Sequence, residues 1–219
     1  MIEITIATSN PHKVEEIRAA FESLGVSGVS FRSLADVPGG PFREPDESGT
    51  TFEENATIKA LAYAERIGGW CLADDSGLEI DALDGRPGVI SSHYFNDGDT
   101  GGAAAGMGRA ERDAANNDRV LRELGDRPLE ERTARFVCVM VLATAGRVLA
   151  RTRGNFEGRI GMRSDVPRGS YGFGYDPIFL IEREYSRTSA ELSPGEKNAL
   201  SHRAAAARRM AEHLQGLLA

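Results

Sequence analysis

Cysteine is scarce in this chain: only Cys71 and Cys138 occur among 219 residues. There is no CxxC, and two thiols cannot make a Cys-rich zinc site. Both stand in apolar stretches that read as buried strands. Reduced core thiols and a reducing, cytoplasmic compartment are therefore expected. A basic surplus is also lacking. Lys plus Arg total 26 against 33 Asp plus Glu, a formal net charge of −7. Duplex DNA or RNA is thus not an expected partner. No apolar run reaches the length of a membrane span. The start, Met1-Ile2-Glu3-Ile4, lacks the basic segment and apolar run of a signal peptide. The four histidines, at 12, 93, 202 and 213, belong to no Ser–His–Asp or Cys–His pattern, and no nucleophile elbow is present. Internal repeats and low-complexity linkers are missing as well.

What remains is an ordinary soluble composition, 41% hydrophobic and 27% charged. The length suits one domain or two closely fused lobes. Ile2, Ile4 and Ile6 alternate as in a strand, and Ala7-Thr8-Ser9-Asn10 reads as a turn. From Lys13 the apolar positions Val14, Ile17, Phe21 and Leu24 follow a helical stripe. Residues 36–50, rich in Pro, Gly and acid, read as a loop. Phe52 to Ile67 reads as a helix, and Trp70 to Ala73 as a short strand. That strand is expected to end in an acidic turn, Asp74-Asp75-Ser76-Gly77, with a further strand over Leu78 to Leu83. Residues 85–106 read mostly as loop, and Ala110 to Leu124 as helix. Arg135 to Ala143 is the most apolar run and the best candidate for a central strand. A turn at Gly146 and a partner strand over Val148 to Arg153 follow. Ser193-Pro194-Gly195-Glu196 has a capping-box pattern with Pro at the first helical position. The terminal helix has an inner stripe of Leu200, Ala204, Ala207, Ala211 and Leu214. Strands mixed with helices give an α/β or α+β class.

Several strings carry groups suited to chemistry. Asp74 and Asp75 follow an apolar strand, and adjacent carboxylates there need water, a cation or a metal. Glu44-Pro45-Asp46-Glu47 is a second acidic group. Oxygen-only sets of this kind suit Mg2+, which takes one or two carboxylates plus substrate phosphates. Both strings also fit solvated loop charge. Thr8-Ser9-Asn10-Pro11-His12-Lys13 opens a helix, where unpaired N–H groups and the dipole favour phosphate. Plain N-capping explains it equally, and the Walker A pattern is missing. Asn55 and Lys59, four apart, share a helix face. They are either a binding pair or a surface pair. Gly172-Phe173-Gly174-Tyr175-Asp176-Pro177 offers close backbone approach at its glycines, a ring at Phe173 for stacking on a purine, and an acceptor at Asp176. The same string fits a tight turn before a strand. Lys197, His202 and Arg203 are candidate phosphate or base contacts. In one straight helix Lys197 and Arg203 point in different directions, so either the helix breaks near Ser201 or one of them is not a ligand.

The order of the strings is far more specific than any one of them. TSNPHK, FEENATIKA, ADDSGLEIDAL, GRPGVISSHY, GFGYDPIF and SHRAAA follow one another from residue 8 to residue 206. In this order they resemble the Ham1-type inosine triphosphate pyrophosphatase family over nearly the whole chain. The resemblance implies an α/β protein with an elongated mixed sheet, flanking helices and two lobes around a nucleotide cleft. It also implies a homodimer. The reaction it implies is hydrolysis of ITP, dITP, XTP and dXTP between the α- and β-phosphates, with Mg2+ required. Matched motif by motif, Thr8, Ser9, Asn10, Pro11, His12 and Lys13 form the first substrate-binding segment. Asp75 is the proton acceptor and a metal ligand, and Ser76 a substrate contact. Phe173, Gly174, Tyr175, Asp176, Lys197, His202 and Arg203 are the remaining nucleotide contacts. An acid of the 44–47 loop is a further metal ligand, with Asp46 placed ahead of Glu47.

Two stretches depart from the family pattern. Residues 97–109 are unusually rich in Gly and Ala, and Arg119 stands where Lys is commoner. The mechanism expected from these parts has Asp75 or Asp74 deprotonating a water for in-line attack on the α-phosphorus. Lys13, Lys59, Lys197 and Arg203 supply positive charge. Base choice is expected from a donor, a backbone N–H or His202, aimed at the 6-oxo group that adenine lacks. The sequence names no residue that excludes guanine. A nucleotide sensor without turnover and a phosphatase releasing orthophosphate are the rival readings.

Overall fold

The computed structural model describes residues 1–101, 106–181 and 184–218. Of the Gly- and Ala-rich stretch 97–109, residues 102–105 lie outside the described residues. Strands β1 (Ile2–Ile6), β2 (Val29–Ser33), β3 (Trp70–Ile80), β4 (Thr133–Thr144), β5 (Arg147–Ile160) and β6 (Phe179–Ile181) form one sheet in the order β2-β1-β3-β4-β5-β6. β1 runs parallel to β2 and to β3, whereas β5 and β6 are antiparallel. The sheet is therefore mixed, as expected. The helices are α1 (Pro11–Leu24), α2 (Phe52–Ile67), α3 (Arg109–Leu124), α4 (Pro194–Leu200) and α5 (His202–Leu218).

The chain divides into two compact units. The first comprises Met1–Ser76, Cys138–Asn155 and Leu200–Ala219. Its core joins Ile4 and Ile6 of β1, Leu72 of β3 and Cys138, Met140 and Leu142 of β4. Val14, Ile17 and Phe21 of α1 and Ala207, Met210 and Leu214 of α5 complete it. Each large apolar side chain buried there contributes roughly 1.5–3 kcal/mol before chain entropy is charged. The stripe expected of α1 is the buried one. Gly154 of β5 lets the start of α5 approach: a Cβ there would stand 2.2 Å from the His202 carbonyl oxygen and 2.3 Å from the Ala206 nitrogen. Cys71 and Cys138 are free thiols buried in this unit. Burial pushes Cys71 up to about 12 and Cys138 in the same direction.

The second unit comprises Gly77–Val137 and Phe156–Ala199. Leu78 and Ile80 of β3, Val120, Leu121 and Leu124 of α3, Phe136 of β4, Ile160 of β5 and Phe179 of β6 are in its core. Arg119 uses the planarity that Lys lacks. Its guanidinium lies 4.4 Å from the Tyr94 ring centroid and reaches Glu123 and Asp97, each at 2.7 Å.

Four expectations need correction. The strand opened by Trp70 does not stop at Ala73 but runs unbroken through Asp74-Asp75-Ser76-Gly77 to Ile80. The acids are therefore mid-strand, and Asp81–Leu83 is a 3-10 turn. Composition hides this because charged residues in a strand normally signal its end, whereas here basic side chains neutralise them. Gly88–Asn96, read as loop, is a 3-10 segment with a kink. Asn116 pins it by accepting from the Phe95 amide and donating to the Ser91 and Ser92 carbonyls. The partner strand of β4 extends to Ile160 rather than Arg153. Leu200, placed on the inner stripe, is 51% exposed. The terminal helix is broken at Ser201, and Leu200 ends the first piece. β2 had no marked signal: every one of its residues is only half-buried.

Candidate active site

In a strand successive side chains point to opposite faces, and β3 turns this rule into two separate charge networks. Leu72 packs in the core with α1 and α5, and Asp74 and Ser76 follow it at the same parity. Asp74 Oδ2 lies 3.0 Å from Lys13 Nζ and 3.5 Å from Arg203 Nε. Arg203 also donates to Ser76 Oγ at 2.8 Å and to Glu16 Oε2 at 2.7 Å. Arg203 and Asp74 are fully enclosed, at 3% and 2% exposure. Burial disfavours the Asp74 carboxylate, but Lys13, Arg203 and Lys59 outweigh it and hold the group well below the usual carboxylate range.

Asp75 faces the other way. Its Oδ1 accepts from Lys59 Nζ at 3.1 Å, and the same ammonium donates to Glu47 Oε2 at 2.9 Å. Burial raises the Asp75 carboxyl above its ordinary value, against the pull of Lys59 and Lys13. Burial also opposes the Lys59 charge, yet Asp75, Glu47 and Asp74 together keep its pKa above normal. Two carboxylates thus share one ammonium, and Asp75 Oδ2 is buried with no hydrogen-bond partner among the described residues.

Local sequence explains how these groups are held. Thr51 caps α2, and the Glu54 carboxylate returns to the Thr50 and Thr51 amides. One turn on, buried Asn55 accepts from the Gly49 amide at 2.8 Å. The acidic loop is thereby fastened to the helix that carries Lys59, and Asn55 and Lys59 do share a buried face. Of the two acids proposed from the sequence, it is Glu47 that reaches Lys59. Asp46 is exposed, and its carbonyl accepts from the Ser48 amide. At α1, Asn10 caps the helix by accepting from the His12 amide, and Thr8 Oγ1 accepts from the Asn10 amide. Ser9, Pro11 and His12 are exposed. His202 is buried at the start of α5. Among the described residues no three His, Cys, Asp or Glu side chains cluster as a metal site. Mg2+ needs only one or two carboxylates beside phosphate and water. The excess negative charge and the orphaned oxygen at Asp75 fit such an ion.

In the second unit, Asp176 is 2% exposed and accepts from three donors. These are the Phe173 amide at 2.8 Å, Ser189 Oγ at 2.8 Å and Lys197 Nζ at 2.6 Å. Asp176 therefore orients its neighbours. Tyr175 is buried, and its hydroxyl donates to the Ser91 carbonyl at 2.7 Å. Gly172 serves the ion pair: at φ +76°, a Cβ would meet Asp176 Oδ2 at 2.1 Å and Lys197 Nζ at 2.9 Å.

Sequence reasoning missed a contribution from α3. Residues 109, 113 and 117 form one helix face. Asp113 accepts from the Gly174 amide at 2.9 Å and Asn117 donates to the Gly174 carbonyl at 3.1 Å. Arg109 places its guanidinium 4.4 Å from the centroid of the half-buried Phe173 ring. Lys197 Nζ stands 5.1 Å from the same centroid. The i, i+4, i+8 spacing was the available signal. The helix does break at Ser201, so that Lys197 belongs to α4 and pairs with Asp176, and Arg203 belongs to α5 and pairs with Glu16 and Asp74.

The model of the Ham1 family matches residues 4–213. The chain belongs to the Ham1 family. It is 43% identical to the dITP/XTP pyrophosphatase of Geobacillus kaustophilus over 218 residues, covering 100% of this chain and 97% of that one. It is 42% identical to the dITP/XTP pyrophosphatase of Bacillus subtilis, covering 98% of each. Among solved structures, the Staphylococcus aureus Ham1 protein is similar at TM-score 0.77 and 33% identity, with 98% of this chain and 99% of that chain covered. A dITP/XTP pyrophosphatase from Mycobacterium abscessus matches at TM-score 0.68 and 40% identity, with 96% and 98% covered. The Ham1 fold, a mixed sheet with flanking helices, is thus the fold of this chain.

Proposed function

We propose that this Ham1-family chain is a nucleoside-triphosphate pyrophosphatase. It hydrolyses the non-standard purine nucleotides dITP, ITP, XTP and dXTP between the α- and β-phosphates. The products are the monophosphate and pyrophosphate, and the reaction keeps these bases out of DNA and RNA. The relatives named dITP/XTP pyrophosphatase support the substrate class. The observation that carries the chemistry is Asp75: a buried carboxylate with one oxygen on Lys59, one oxygen without a partner, and a pKa raised by burial.

Asp75 accepts the proton of the attacking water and orients it on the α-phosphorus. Asp74, which also has one oxygen without a hydrogen-bond partner among the described residues, is the weaker base of the two, because Lys13 and Arg203 hold its carboxyl well below the usual range. Lys59 and Lys13 bring positive charge to the phosphates, and the start of α1 adds its backbone dipole. Asp75 and Glu47 are the residues that would hold Mg2+. When bound, the ion supplies charge neutralisation on the phosphate oxygens. Phe173 stacks on the purine, and Asp176 fixes both its backbone and Lys197. A donor to the 6-oxo group, His202 or a backbone N–H, rejects adenine. A homodimer and a cytoplasmic location complete the proposal. They are supported by the family resemblance and by two reduced, buried thiols.

The test is a panel of dITP, XTP, ITP, dGTP, dATP and dUTP with products identified and Mg2+ omitted as a control. Pyrophosphate from the first three, dependent on the metal, is expected. Orthophosphate as product, binding without turnover, or equal efficiency on dATP and dITP would each defeat the reading.

A further inference from the structure

Resting on that reading, we infer that Asp113 and Asn117 are positioning residues for nucleotide binding, acting through the peptide groups of Gly174 and not on the nucleotide itself. Both polar groups of Gly174 end on side chains of α3. Its amide donates to Asp113 Oδ2 at 2.9 Å, and its carbonyl accepts from Asn117 Nδ2 at 3.1 Å. Irregular backbone has no ladder to satisfy it and needs side chains or water. Gly174, at φ +64°, is such a residue. Its two partners stand 61 and 57 residues away in sequence. Their spacing of four puts both on one helix face.

The same helix braces the next residue of the loop. The Tyr175 hydroxyl donates to the Ser91 carbonyl at 2.7 Å, and Asn116, the neighbour of Asn117, donates to that carbonyl at 3.3 Å. α3 thus holds the loop directly at Gly174 and indirectly at Tyr175, although it carries none of the expected nucleotide contacts. Asn117 makes its bond at a cost. Its Oδ1 is buried with no hydrogen-bond partner among the described residues, and a buried acceptor left unpaired destabilises a fold. The useful bond and the orphan oxygen belong to one amide. Asn117 therefore adds little net stability while it fixes one peptide group. Its contribution is to the shape of the loop, and a bound nucleotide depends on that shape. Asp113 supplies the other half. Its contact with Arg109 Nε, at 3.9 Å, is looser and partly exposed, so it contributes little beside the bond to Gly174.

The experiment measures kcat and KM for dITP, and inhibition by dIMP and by pyrophosphate, with melting curves beside them. The proteins are the wild type, Asn117→Ala, Asp113→Ala and Asp113→Asn. Each alanine variant is expected to raise KM about tenfold, the equivalent of roughly one hydrogen bond. Turnover at saturation should stay within about threefold, as for a loss of uniform binding. The inhibition constant of dIMP, which carries the base, should rise with KM, and that of pyrophosphate, which has none, should stay. Asp113→Asn keeps an acceptor for the Gly174 amide, so its KM should lie within about threefold of the wild type. The melting point of Asn117→Ala should move little, because the orphan oxygen leaves with the bond. A merely structural role would raise both inhibition constants together, or lower the melting point with KM unmoved, and either result would overturn the inference. So would a KM for Asp113→Asn as high as that for Asp113→Ala. An Asn117→Ala that fails to fold would overturn the half that concerns Asn117, and the two Asp113 variants decide the other half alone. A wild type that releases no pyrophosphate from dITP would instead overturn the underlying function, and the inference with it.

Discussion

Asp74 and Asp75 share a peptide bond yet lie in different charge networks, the first against Lys13 and Arg203, the second against Lys59 and Glu47. The two should therefore fail in opposite ways when neutralised. Asp75→Asn should lower turnover by at least about a hundredfold, the range usual for loss of a general base. Its thermal midpoint should not fall. A buried carboxylate whose folded pKa is raised costs stability when ionised, and the amide removes that cost. Near-normal turnover in a folded variant would take Asp75 out of its role.

For Asp74 the sign is reversed. Its folded pKa is depressed, so its ionisation stabilises the native state above the unfolded carboxylate value. That contribution fades as acid carries the pH down through the folded value. Asp74→Asn should cost about 3 kcal/mol near neutrality, because it leaves Lys13 and Arg203 facing an amide. The gap to the wild type should narrow as pH falls from about 5 toward 2. Urea midpoints across that range are the measurement; a gap that widens in acid would contradict the network.

Asn55 acts through the loop it fastens. Asn55→Ala removes the acceptor for the Gly49 amide, and Glu47 then loses its fixed approach to Lys59. The expected result is an Mg2+ requirement about tenfold higher, the low end of the range seen for loss of a supporting contact to a metal ligand. Turnover at saturating Mg2+ should change much less. An unchanged metal titration would show that Glu47 needs no such anchor.

Two glycines only two residues apart separate close packing from backbone strain. Gly172→Ala places a Cβ against Asp176 and Lys197. It should raise KM for dITP about tenfold or more, since a displaced binding group can cost that much. Gly174 also has positive φ, but nothing lies within 4 Å of its added Cβ. Gly174→Ala should cost only the left-handed penalty of about 1–2 kcal/mol in stability. Steady-state kinetics beside melting curves will show whether the two variants separate.

The sequence made much of this legible, because the signals were local. The stripe Val14, Ile17, Phe21 named the buried face of α1, and FEENATIKA placed Asn55 and Lys59 on one turn-to-turn face. What stayed hidden depended on partners far along the chain. Asp74-Asp75 read as a strand end, because the bases that let them stand inside β3 come from residues 13, 59 and 203. That Glu47 rather than Asp46 lies on Lys59 depends on the loop conformation, which the Asn55–Gly49 bond helps to hold. Arg132 carried no signal at all. It is completely buried, and its guanidinium donates to the carbonyls of Gly125, Arg127, Ile160 and Gly161. No carboxylate partner marks it among the described residues, and backbone acceptors leave no trace in composition.

The two thiols give the molecule a silent chemical background. With Cys71 and Cys138 buried and held protonated, the second against the Asp74 carboxylate, a thiol reagent has nothing to attack while the chain is folded. A cysteine introduced at an exposed site, such as the place of Tyr171, would take a fluorophore alone, with both native residues left in place. Conversely, the pace at which the unlabelled protein consumes reagent becomes a clock for how often its first unit opens.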